Sequence, residues 1–169
     1  TYLAFAVDRS TDYWSTLATW ATGGFVRGTF SRQALPMIWD FAEVNPLSSS
    51  TGNWMANVDW IWKVINKTVP DTRAKVSQSD VTNENLYSEE IITTDPPYYD
   101  NIGYADLSDF FYIWLRRSLK DIYPDLFSTL LTPKKDELIA SPYRHGGSKK
   151  KASQFFETGL GNAIHLWRE

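Results

Sequence analysis

Cysteine is absent from the 169 residues, which excludes disulfides and thiolate metal sites. The two histidines, His145 and His165, stand without any metal-ligand spacing, so surface or satisfied histidines are the better reading and no metal is expected. No stretch approaches the roughly 20 apolar residues of a membrane span. A charged-then-apolar leader is missing as well. Cytoplasmic residence, with no membrane partner, is therefore the default expectation. Nor is there a basic excess: 17 Lys and Arg against 20 Asp and Glu leave a net charge of −3, unlike the basic footprint of a self-sufficient DNA-binding domain.

Apolar and aromatic side chains are abundant. Hydrophobic residues make up 43% and aromatics 15%, with eight Trp, which argues against disorder throughout and favours wide packed surfaces or stacking sites. The length is one domain's worth, enough for a real core. The first residue is Thr1 and the last, Glu169, falls in or just after a helical pattern, as expected of a piece of a longer protein.

Spacing predicts a helix within residues 1–21, with Tyr2, Phe5, Ala6, Tyr13, Leu17 and Trp20 as its candidate buried positions and Gly23-Gly24 as its break. A short helix or irregular segment is expected over 28–41 and a loop from Pro46 to Gly52. A helix runs from Asn53 to about Lys67, with Trp54, Val58, Ile61, Trp62 and Ile65 on one face and Pro70 closing it. Alternation over 73–78 predicts a short strand ending near Asp80, and residues 88–94 a second strand. A strong helix is expected over 107–121, capped by Asp106 and with Asp109 in its first turn. Residues 124–146 read as loop-rich, and a last helix covers roughly 152–168. Strands alternating with helices indicate an α/β layer arrangement, divided into a mostly helical part (1–70) and a strand–loop–helix part (71–169).

The tetrapeptide Asp95-Pro96-Pro97-Tyr98 follows the apolar run Ile91-Ile92-Thr93-Thr94. Proline fixes its own φ and excludes the helical region for the residue before it, so Asp95 and Pro96 are both held extended. A carboxylate, a stiff carbonyl without a competing N–H, and a flat ring then sit side by side. Such a set suits a planar group bearing an amine, with two acceptors for its N–H bonds and a face to stack on. The plainer reading is a strand-to-loop exit in which Asp95 caps a turn and Tyr98 packs on the core.

The segment 94–101, followed by Tyr104-Ala105-Asp106-Leu107-Ser108-Asp109-Phe110-Phe111, resembles the catalytic region of amino-group DNA methyltransferases. More narrowly, it is similar to large bacterial and archaeal adenine-specific DNA methylases. The likeness extends to Arg32–Met37 and Trp39–Pro46 upstream and to Leu131–Lys135 downstream. The resemblance implies a partial Rossmann-like class I methyltransferase fold, S-adenosylmethionine as cofactor and DNA as partner. It assigns Asp95 and the Pro96 carbonyl as acceptors for the two amine hydrogens, with Pro97 as part of the same catalytic motif and Tyr98 stacked on a flipped base. Asp at the first position does not settle adenine against cytosine.

Other positions carry two readings each. Tyr99 is a second stacking ring or a core residue. Asp80 is a turn acid or, by the resemblance, a contact of the cofactor's adenine. Asn101 and Asp100 line the substrate loop or form a local Asx turn. Arg144, His145, Lys149, Lys150 and Lys151 form a solvated loop or a phosphate-contacting one. A glycine-rich strand–turn–helix for the cofactor has no counterpart: Gly23-Gly24 follows no apolar strand, and Gly159 and Gly161 lie in a helical pattern. A non-catalytic nucleic-acid-binding or scaffolding module that keeps the motif is therefore the alternative to an enzyme, and RNA or protein glutamine is a smaller third possibility as substrate.

Overall fold

A computed structural model describes residues 1–68, 76–82 and 91–168. The described residues form a helix-rich α/β chain with one two-stranded sheet, ordered α1 (Tyr2–Trp14), β1 (Thr19–Ala21), β2 (Phe25–Arg27), α2 (Trp54–Lys67), α3 (Tyr104–Leu119), a 3-10 turn (Pro142–His145) and α4 (Lys149–Leu166). Two compact units are distinguished: Thr1–Lys75 with Leu107–Thr132, and Val76–Asp106 with Pro133–Glu169.

In the first unit α1 packs against α2. The face that α1 buries is small and partly polar: Ala6, Ser10 and Thr11. Ser10 Oγ donates to the Ala6 carbonyl (2.7 Å) and accepts from Asn57 Nδ2 of α2 (2.9 Å). Each buried polar group thus finds a partner, without which it would cost stability. Asp8, on the same helix, is the exception, because its Oδ1 is buried without a hydrogen-bond partner among the described residues. Burial pushes that carboxyl up to about 6. The start of α2 matches expectation, since the Asn53 side chain accepts from the Ala56 N–H at 2.8 Å, the standard N-cap bond. The loop before it turns at Gly52, whose φ of +83° and approach to Tyr13 leave no room for a Cβ.

The expected helix over 1–21 is shorter than its pattern. It stops at Trp14 because Ser15 is extended and its Oγ accepts from the Leu17 N–H (2.9 Å). Thr19–Ala21 instead pairs antiparallel with Phe25–Arg27, Trp20 opposite Val26. Gly24, at φ +81°, supplies the left-handed turn residue. Trp20 consequently lies exposed in a hairpin, and Tyr2 and Phe5 are exposed on α1. Residues 28–41 are irregular. The Phe30 ring sits against Phe110 and Phe111 of α3 at 5.1 and 5.0 Å. Near the other end of α3, Leu119 is buried.

The two expected strands of the second unit are not formed where the chain is described. Residues 73–75 and 88–90 lie outside the described residues, as does Pro70. Val76–Asp80 and Ile91–Thr94 carry no ladder. Val76 and Ile91 point to solvent, 80% and 98% exposed, so these two side chains are without the cover that stabilises a strand. The helix expected from residue 107 begins earlier, at Tyr104, which puts Asp106 inside the first turn. The loop-rich stretch 124–146 is irregular apart from the 3-10 turn. The last helix, α4, is capped by Ser148 and buries Ala152, Phe156 and Ala163. Gly159 lets Leu138 lie against α4, where any Cβ would meet Leu138 Cδ1 at 2.4 Å. No described helix is long and apolar enough to cross a membrane.

Candidate functional site

Asp95, Pro96 and Pro97 stand in an irregular loop of the second unit and line a cavity of about 840 Å3, together with Asp80, Ile92 and Leu138 among others. Asp95, Pro96 and Tyr98 are exposed and Pro97 is half-buried. The carboxylate and the ring face the same local space, because the Tyr98 hydroxyl donates to Asp95 Oδ1 at 3.0 Å. That bond and the carboxylate's charge raise the Tyr98 phenol above its usual range, so it stays a donor. The Asn101 N–H donates to the Tyr98 carbonyl at 3.2 Å and closes a turn. The Asn101 side chain is exposed beside Asp100.

Tyr99 differs from its neighbour. Its φ is +59°, in the left-handed region that a bulky side chain rarely adopts. Its hydroxyl shares a short hydrogen bond with Ser153 Oγ. The ring stands edge-on to Phe156 at 5.1 Å, and its carbonyl accepts from the Ala140 N–H at 3.0 Å. Of the two readings of Tyr99, these contacts favour packing: its hydroxyl and ring edge meet α4, although the residue is still 41% exposed.

Asp80 lines the same cavity and also a neighbouring one of about 560 Å3, whose other wall is the Lys151, Gln154 and Thr158 side of α4. Its carboxylate accepts from both the side chain (2.7 Å) and the backbone N–H (2.8 Å) of Thr82. Those bonds hold it below the usual carboxylate range. Asp80 is thus an Asx-turn acid and a cavity-lining carboxylate at once.

The basic stretch divides. Lys149, Lys150 and Lys151 are exposed on the first turn of α4, where the positive helix end disfavours them. Arg144 points inward, with a side chain only 12% exposed. Nη2 donates to Asp106 at 2.8 Å, Nη1 reaches the Lys134 carbonyl and Glu137 Oε2, both at 2.7 Å, and Nε reaches the Tyr143 hydroxyl at 3.0 Å. Burial opposes the guanidinium charge, but Asp106, Tyr143 and Glu137 outweigh it and hold the group above its ordinary range. A phosphate-contacting Arg144 is corrected on this ground: its donors already have acceptors. His145 packs its ring against Phe155, at 4.9 Å.

Sequence reasoning missed the brace around Arg144. Asp106, expected as an N-cap, accepts from Tyr143 and Arg144, and these hold its carboxyl below the usual range. The helix start is served instead by Glu137, whose Oε1 accepts the Ala105 N–H at 2.9 Å. No local signal marks a cap supplied from 32 positions away. Ser153, which anchors Tyr99, was equally silent. Among the described residues no group of acids and histidines is arranged to hold a metal.

Set against protein-family models, curated proteins and solved structures, the chain matches none. Its chemistry is therefore argued from the loop itself.

Proposed function

We propose that the Asp95–Tyr98 loop is the amine-holding site of an S-adenosylmethionine-dependent methyltransferase that acts on an exocyclic base amine of DNA, adenine foremost, within a partial Rossmann-like fold. The observation that carries this reading is a coincidence in one loop. A solvent-facing carboxylate, a proline carbonyl and an exposed ring are adjacent, and the first two line a cavity of about 840 Å3. That volume lies in the range of roughly 300–1,000 Å3 typical of small-molecule sites.

An exocyclic amine is a poor nucleophile because its lone pair is delocalised into the ring. Asp95 accepting one N–H and the Pro96 carbonyl the other would return density to nitrogen and fix its orientation. Without a base, the Tyr98 hydroxyl occupies one Asp95 oxygen. An incoming amine displaces it and frees the ring to stack on the extruded base, an interaction of about 1–3 kcal/mol. By the resemblance, Asp80, which accepts from Thr82, would contact the nucleoside part of the cofactor at this cavity, with Val81 and Ile92 beside it, and the rest of a longer parent chain would supply the glycine-rich loop. Bound there, S-adenosylmethionine supplies an electrophilic methyl group. The exposed Lys149 and Lys150 are the candidates for phosphate contacts.

The test is tritiated methyl transfer from S-adenosylmethionine to duplex DNA by the protein and by its Asp95→Ala form. Incorporation that vanishes in the variant supports the reading, and equal turnover removes Asp95 from it. Cofactor binding without incorporation moves the substrate to RNA or a protein amide. Absence of cofactor binding favours a nucleic-acid-binding or scaffolding module without catalysis.

A further inference from the structure

The four residues from Asp95 to Tyr98 have few ties of their own, yet two acceptors can orient an amine only if they are aimed. Among the described residues their side chains make one hydrogen bond, and it is internal to the loop, Tyr98 to Asp95. The next residue is held at three points. Tyr99 hands its carbonyl to the Ala140 N–H, its hydroxyl to Ser153 and its ring edge to Phe156. Ala140 and Phe156 are both buried. Ser153 and Phe156 are one turn apart on α4, so ring and hydroxyl grip the same helix face.

The φ of +59° makes this grip necessary. A left-handed tyrosine costs on the order of 1 kcal/mol and persists only when its surroundings over-determine it. Released from α4, the residue would relax to negative φ. A change of that size at one backbone dihedral re-aims everything immediately before it, and Asp95 is only four residues away.

We infer that Tyr99, clamped by Ser153, is the positioning residue that aims the Asp95 and Pro96 acceptors. It touches neither base nor cofactor and acts through the backbone. The inference rests on the reading of Asp95–Tyr98 as the amine-holding loop and adds what fixes its direction.

The test uses Tyr99→Phe and Ser153→Ala, each of which removes the hydroxyl pair but keeps the Phe156 packing, and the double variant. Three readouts are taken on the whole protein: thermal midpoint, kcat and KM for methyl transfer to DNA, and the 19F spectrum of protein carrying 3-fluorotyrosine, with Tyr98 assigned by a Tyr98→Phe control. Misaiming without unfolding predicts a midpoint that barely moves, kcat lower by roughly 10- to 100-fold, and KM within about twofold. The double variant falls no further than either single one, as two halves of one contact require. The Tyr98 resonance broadens or splits in all three. Wild-type kcat in Tyr99→Phe, with Asp95→Ala inactive, overturns the positioning role and leaves the proposed function standing. If the wild-type protein transfers no methyl group, the proposed function fails, and the Tyr98 resonance then decides the anchor by itself: unchanged in the variants, it overturns the inference, and broadened, it upholds Tyr99 as what orders this loop.

Discussion

Two carboxylates of the second unit, Asp95 and Asp106, each accept a hydrogen bond from a tyrosine hydroxyl, and their surroundings could hardly differ more. Asp95 is bound by Tyr98, three residues along the same exposed loop. Asp106 is bound by Tyr143 and by Arg144, whose other nitrogens reach Glu137 and the Lys134 carbonyl, while Glu137 receives the Ala105 N–H. The Asp106 group therefore ties the start of α3 to the 134–144 stretch, and removing Arg144 leaves two carboxylates without that cation. The Asp95 pair ties nothing but its own loop. Over-determined acids hold structure, and an acid with one exchangeable partner is available to a ligand.

The largest effect that tests this contrast is expected from Arg144→Ala. It leaves Asp106 and the largely buried Glu137 without their cation, and denaturant unfolding should show a loss of about 3 kcal/mol, at the lower end for breaking a buried pair because Asp106 is partly solvated. Asp95→Ala, in the same assay, should stay within about 0.5 kcal/mol of the wild type. Equal losses would erase the distinction.

Asp8 of α1 supplies a third kind of acid, buried in part, with Oδ1 lacking a hydrogen-bond partner among the described residues. Its folded pKa, pushed up by burial to about 6, lies above the ordinary 3.8. The folded state then holds the proton more tightly, so stability falls as pH rises from about 4 to about 6 and is flat beyond. Asp8→Asn should remove that slope and raise stability at pH 7 by roughly 1 kcal/mol, the full linkage value being discounted for solvent screening.

A finer comparison sets the two hydroxyls against each other. Tyr143→Phe should cost about 1 kcal/mol, the net worth of one hydrogen bond, whereas Tyr98→Phe should leave the unfolding midpoint unmoved. A measurable loss from Tyr98→Phe would make the Asp95 loop a structural element. The smallest expected effect is in the acid limb. Asp106, with its pKa depressed first by Tyr143 and then by Arg144, contributes stability that is present above 3.8 and lost as pH falls through its lower folded value. In Asp106→Asn that limb should be shallower, and an unchanged limb would separate Asp106 from the brace.

What sequence could disclose follows the range of each interaction. The extent of α2 was legible because its cap, Asn53, is local, but its expected apolar face was not: Trp62 and Ile65 are exposed, Trp54, Val58 and Ile61 are half-buried, and the residue α2 buries is Asn57. The end of α1 was not: apolar spacing continues to Trp20, while the stop lies in the Ser15 side chain and in a hairpin whose Gly23-Gly24 turn read as a mere break. Ile91-Ile92-Thr93-Thr94 has strand composition, yet composition supplies no neighbour to pair with, and Ile91 is left in solvent. The Asp95–Tyr98 loop was legible because two prolines dictate its backbone whatever surrounds it. The Arg144 brace was illegible because Asp106 and Arg144 are 38 positions apart, and a charge in sequence does not say whether it meets water or a partner. Tyr99 fell between these cases, since adjacent tyrosines look alike until one is found clamped on α4.

The Ser10–Asn57 bond between α1 and α2 carries one more consequence. Faces lined by small residues pack almost equally well in several alignments, and burial alone would let one helix slide along the other. A slide by one turn, about 5.4 Å, would separate the Asn57 amide from the Ser10 hydroxyl, which would keep only its bond to the Ala6 carbonyl of its own helix. This polar contact, with the Trp14 indole N–H held by the Gly52 carbonyl just before α2, therefore acts as a detent for the alignment of the two helices.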